Sequence, residues 1–253
     1  MPDDPNVLYN ECIVETRKKF ANWTLFLVLA GMVWGQIVLA AGTRRASTPN
    51  HLTTFCAIET AGLYTLALFL TRRWWLPRLA HHPALSAPVL GVFNAGLIEA
   101  EFWAYERLFG GSGISASPNL LLDWLFTMPW YIGMVFLFVR GQKRSRFPTV
   151  VLLLLAGLYE AGADGVVGGQ IVPWISGHPV ALLSSWVFLV SIAFWEFILV
   201  YSSMVLPPAW VIAAASPGES SSRRLWRDAL LPLVWLVPYT VYLVLILIAI
   251  GHR

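Results

Sequence analysis

The chain has two cysteines in 253 residues, and charged side chains make up only 12% of it. Cys12, near the N-terminal tail, and Cys56, inside an apolar run, fit neither a disulfide framework nor a zinc motif. No glycine loop followed by Lys-Ser/Thr, no HExxH and no Ser/His/Asp set is present, so those chemistries lack their residues. The GGSG at 110–113 reads as a flexible turn. No Lys or Arg lies deep in the apolar runs, and Leu230–Ile250 contains no lysine, which excludes a retinal protein. An aspartate-rich DDxxD-like run is also missing, which disfavours ionisation of a metal-bound diphosphate.

Long hydrophobic runs are what the chain does have. Hydrophobic residues make up 57% of it, and apolar stretches near 20 residues recur. The expected fold is all-α: a polytopic membrane protein whose single transmembrane domain, 1–253, is a seven-helix bundle. The spans are drawn at 24–41, 52–71, 84–108, 119–139, 149–168, 180–205 and 229–250. The first 22 residues are polar and carry Arg17, Lys18 and Lys19, so the first span reads as a retained helix rather than a cleaved signal. With these spans, 13 basic residues fall on the side of the N-terminal tail and four on the other. The positive-inside rule then predicts a cytoplasmic N-terminus and an extracytoplasmic C-terminus, in a bacterial inner membrane or the endoplasmic reticulum. The net charge of +3 belongs to these loops and predicts contact with membrane lipids, not nucleic acid.

Eight acids lie inside the hydrophobic segments: Glu59, Glu99, Glu101, Glu106, Asp123, Glu160, Asp164 and Glu196. Carboxylates at membrane depth are costly and mark functional sites. The orientation puts most of them in the outer half, joined by Gln36, with Glu196 nearer the inner half. Helical phase places Glu99, Trp103 and Glu106 on one face, and Asn94, Glu101 and Tyr105 on another. Glu106, with Arg107, reads as a solvated helix end. Asp123, Thr127, Trp130 and Met134 form a stripe, and Glu160 and Asp164 stack four apart. Ala161, Gly165 and Gly169 form a small-residue face suited to helix packing.

A protonated carboxylic acid beside an ionised one is an acid/base pair, able to protonate an alkene and remove another proton. Aromatic faces would stabilise the carbocation between those steps. The expected catalytic residues are therefore Glu99, Asp123, Glu160 and Asp164. Asn94, Glu59, Trp103, Trp130, Trp195 and Glu196 are expected to bind the substrate, an apolar lipid. Neither a metal nor a cofactor is called for. The rival readings are a lipid-binding or ion-coupled transport protein and an accessory subunit of a membrane complex; the oligomeric state is left open.

Residues 84–206 also resemble the four-helix portion of the EXPERA membrane family, which includes sterol isomerases. The resemblance rests on FNAGLIEAEFWAYERLFG at 93–110, LLDWLFTMPW at 121–130, Tyr159, and Gly177-His178-Pro179 ahead of Phe194-Trp195. It implies a catalytic role for Asp123 and Glu99 and a sterol-like or isoprenoid substrate. The family's histidine four residues before the span-three glutamate is Ala95 here, and its asparagine three before the last-helix tryptophan is Ile192. Those departures point to a substrate other than the Δ8 sterol.

Overall fold

The computed structural model describes residues 5–46, 48–175, 186–216 and 225–251, with side chains described from Trp23 onward. Gly177-His178-Pro179 lies outside the described residues. Among them the fold is entirely helical, and seven helices are long and apolar enough to cross a membrane. Their principal segments are α1 (Pro5–Ala46), α2 (Pro49–Leu79), α3 (Pro83–Phe109), α4 (Leu120–Ser145), α5 (Thr149–Glu160), α6 (Phe194–Ala215) and α7 (Leu236–Gly251). α5 continues as a π-helix over Ala161–Ile171 and ends in Val172–Ile175, while a π turn at Leu189–Ala193 leads into α6. A short helix, Leu225–Leu230, and a 3₁₀ turn, Leu231–Trp235, precede α7.

α6 is the most buried of the seven and packs on α5, α3, α2 and α1. It extends ten residues beyond the expected boundary at 205, because Pro207 and Pro208 lie inside the helix instead of ending it. α1 is already helical at Pro5, well before its apolar span begins.

At Pro129 and Pro207, neighbouring helices satisfy the carbonyls that an interior proline strands. A proline has no N–H for the carbonyl four residues back, and lipid supplies no substitute donor. Pro207 leaves the Ser203 carbonyl free, and the Asn94 amide of α3 donates to it at 2.5 Å. Pro129 leaves the Leu125 carbonyl free, and the Tyr242 hydroxyl of α7 donates to it at 2.6 Å. One turn on, Trp235 Nε1 donates to the Pro129 carbonyl at 2.9 Å, its ring lying over Gly133. Each bond ties two helices together where one is interrupted.

At one end of the bundle, 110–119 joins α3 to α4 and is held from three sides. Gly110 (φ 73°) caps α3 in the left-handed region, and Gly113 (φ 78°) makes a second turn that residues with a Cβ avoid. Asn50 of α2 accepts from the Ser112 amide and donates to its carbonyl, both at 2.9 Å. Glu106 accepts from the Ile114 and Ser115 amides at 3.0 and 3.1 Å and from the Ser115 hydroxyl. Two expectations are corrected here. Glu106 is a buried anchor rather than a solvated helix end, and GGSG opens a fastened loop rather than a flexible turn. At the opposite end, Ser145 donates to Asp228 at 2.5 Å and Tyr159 to the Ala229 carbonyl at 2.6 Å.

Candidate functional site

A cavity of about 690 Å³ lies between α2, α3, α4, the π segment, α6 and α7, with residues of 113–116 forming part of its wall. Three carboxyl groups line it: Glu99 from α3, Glu160 from the end of α5 and Asp164 from the π segment. The remaining wall is mainly apolar or aromatic, including Ile98, Phe102, Phe126, Phe197, Tyr239 and Leu243, with the hydroxyls of Thr54, Ser115 and Thr127, and contains no Lys, Arg or His.

Asp123 stands immediately behind Glu99. Its Oδ1 accepts from the Ala116 amide at 2.7 Å and, more weakly, from Ser117 at 3.4 Å. Oδ2 is buried without a donor among the described residues, and the two carboxyls are within hydrogen-bonding reach of each other. Glu99 also accepts from the Tyr131 hydroxyl. Glu99 is thus oriented by Tyr131 and Asp123 by the loop.

Glu160 is buried, and its Oε2 has no donor among the described residues. The π-helix carries Asp164 on to the same cavity. With more than four residues per turn it also changes the phase of the residues beyond Glu160. Ala161, Gly165 and Gly169 therefore do not share one packing face: Gly165 lies against Leu189, whereas Gly168 and Gly169 open on to the cavity.

The other expected site residues lie elsewhere. Asn94 is fully buried and accepts from Tyr64 at 2.8 Å while donating to Ser203, so both ends of its amide are engaged between helices. Trp103 donates to the Pro118 carbonyl at 3.0 Å, at the foot of the loop. Trp130 is buried against Tyr201, to which it donates at 2.8 Å. Trp195 packs over Gly31 of α1. Glu59 and Glu196 do not line the cavity; Glu196 accepts from Gln36 of α1, and Glu59 is half-buried on α2. Glu196 therefore shares a layer with Gln36.

Phe102, Phe126, Tyr131, Phe197 and Tyr239 line the cavity in place of the expected tryptophans. Helical phase alone allows either set, because i+3 and i+4 both share a face with i. From Glu99 the cavity face continues to Phe102 at i+3, not Trp103 at i+4, and from Thr127 to Tyr131 at i+4, not Trp130 at i+3. Among the described residues, no group of three or more His, Cys, Asp or Glu side chains is spaced to hold a metal ion.

Fold and site together define an integral multi-pass membrane protein with a carboxyl-lined cavity inside its helical bundle. No family model, curated protein or solved structure matches the chain.

Proposed function

We propose that the protein is an intramembrane isomerase or cyclase that acts on an isoprenoid or sterol-like lipid. The observation that carries this reading is the convergence of Glu99, Glu160 and Asp164 on a mainly apolar cavity, with Asp123 paired behind Glu99. The Glu99–Asp123 unit delivers its proton to one alkene carbon and leaves the adjacent carbon cationic. The faces of Phe102, Phe126 and Tyr239 stabilise that charge. Glu160 or Asp164 then removes a proton, either from a neighbouring carbon or after ring closure, and a carbon–carbon double bond forms again. Proton return between the carboxyls resets the site. In this reading the N-terminus is cytoplasmic, and the membrane is a bacterial inner membrane or the endoplasmic reticulum.

The test is incubation of the purified protein in lipid nanodiscs with a panel of isoprenoid and sterol alkenes in D₂O. Wild type is expected to give an isomerised or cyclised product that carries deuterium. Glu99→Gln and Asp123→Asn are each expected to lower conversion by roughly 10²-fold or more. Full conversion by folded variants defeats the mechanism, and recovery of unchanged bound lipid from wild type makes the protein a lipid binder.

A further inference from the structure

A second polar cluster lies on a different face of α6 from the cavity. Gln36 of α1 donates from Nε2 to Glu196 Oε2 at 2.6 Å. Glu196 is only 4% exposed, yet its Oε1 has no donor among the described residues, and neither does Gln36 Oε1. Glu59 of α2 is near enough for its carboxyl to interact with that of Glu196.

The backbone makes room for this arrangement. Gly31 and Gly35 lie on the side of α1 that meets Trp195 and Glu196, and small residues four apart allow close helix approach. A methyl group at Gly35 would sit 2.5 Å from Glu196 Oε1, in the space that oxygen faces. The segments converging here contain no counter-charge: 23–43 and 186–216 contain no Lys, Arg or His, and neither does 52–71. Glu196 Oε1 and Gln36 Oε1 are therefore buried acceptors without a donor among the described residues, with half-buried Glu59 on the neighbouring α2. Acceptors so placed require a positive charge or a proton.

We propose that Gly35, Gln36, Glu59 and Glu196 form a second site, separate from the cavity, that takes a small hard monovalent cation, either Na⁺ or a proton. Oxygen-only ligands suit such an ion. Gln36 holds Glu196 in place, Glu59 supplies the second carboxyl, and Gly35 lets Glu196 Oε1 approach the α1 backbone closely. This site does not depend on the reaction proposed for the cavity.

Thermal unfolding of the full chain in detergent, followed by tryptophan fluorescence, tests the proposal. NaCl is titrated against choline chloride at fixed ionic strength, at several pH values. If Na⁺ is the ligand, a concentration about tenfold above its dissociation constant should raise the wild-type midpoint by about 3–6 °C, with choline inert. If a proton is the ligand, Na⁺ has no effect, and the gap between wild type and Glu196→Gln changes with pH. Gly35→Ala is expected to weaken either response, whereas the cavity variant Glu160→Gln keeps it. Should Glu196→Gln not fold, Glu59→Gln serves in its place, since it removes one carboxylate and leaves the Gln36–Glu196 hydrogen bond intact. A wild-type midpoint indifferent to both Na⁺ and pH overturns the proposal. So does a response that survives unchanged in Glu196→Gln or Glu59→Gln.

Discussion

Asn94 shows how a polar residue at membrane depth can be wholly structural. Its amide accepts from Tyr64 and donates to the carbonyl that Pro207 strands, so removing it leaves the buried Ser203 carbonyl and the half-buried Tyr64 hydroxyl unpaired. Asn94→Leu is expected to lower stability by about 1–3 kcal/mol per group left unpaired, measured by denaturant unfolding in micelles. Combining it with Pro207→Ala, which restores the helical N–H to Ser203, should recover part of the loss, and a double-mutant cycle measures how much. Phase on α3 separates Glu99 from Glu101, and only Glu99 reaches the cavity. Asn94 was not legible in the same way: its partner depends on a proline 113 positions away, a pairing that only the folded α3–α6 contact reveals. The choice between Phe102 and Trp103 turns on a single step of helical phase, which a 3.6-residue period leaves undecided.

At the scale of elements, glycine positions record where helices touch. A methyl group at Gly157 would lie 2.8 Å from the Phe194 carbonyl oxygen and from Ile198 Cγ1, whereas at Gly42 it would meet nothing within 4 Å. Gly157→Ala is therefore expected to cost about 1–3 kcal/mol through overpacking of α5 on α6. Gly42→Ala should gain roughly 0.5–1 kcal/mol from helix propensity. Thermal unfolding of the two variants side by side checks the contrast. Hydrophobic run length was enough to show that seven spans exist, because crossing a bilayer demands it. The π segment was less visible, since Gly162, Gly165, Gly168 and Gly169 are compatible with close α-helical packing as well as with a wider turn. The end of α6 was misplaced because Pro207 and Pro208 terminate helices in water, whereas here α3 supplies the donor that Ser203 has lost.

Across the whole molecule, acids drawn from five of the seven helices sort into separate groups instead of one pocket. Glu99, Asp123, Glu160 and Asp164 gather at the cavity, Glu196 joins Gln36 with Glu59 on the neighbouring α2, and Glu106 secures the α3–α4 loop. That loop couples the groups mechanically, because Asp123 holds Ala116 with one oxygen and lies beside Glu99 with its carboxyl. Glu106→Gln keeps the side chain's size but not its charge-assisted hydrogen bonds. It is expected to speed amide hydrogen exchange at 112–117 while leaving the α5–α6 core protected, which mass spectrometry can resolve.

The position of the same loop also bears on how a reactant arrives. Residues 113–116 cover the cavity on the side of the α3–α4 end, while Leu243 and Leu247 of α7 bring its wall toward the hydrocarbon. In the proposed reaction, a hydrophobic substrate would reach Glu99 by lateral diffusion within the bilayer and not from bulk solution. Turnover should obey surface-dilution kinetics: at constant total substrate, adding inert phospholipid slows the reaction in proportion to the fall in substrate mole fraction, whereas changing the aqueous volume leaves the rate per protein unaltered.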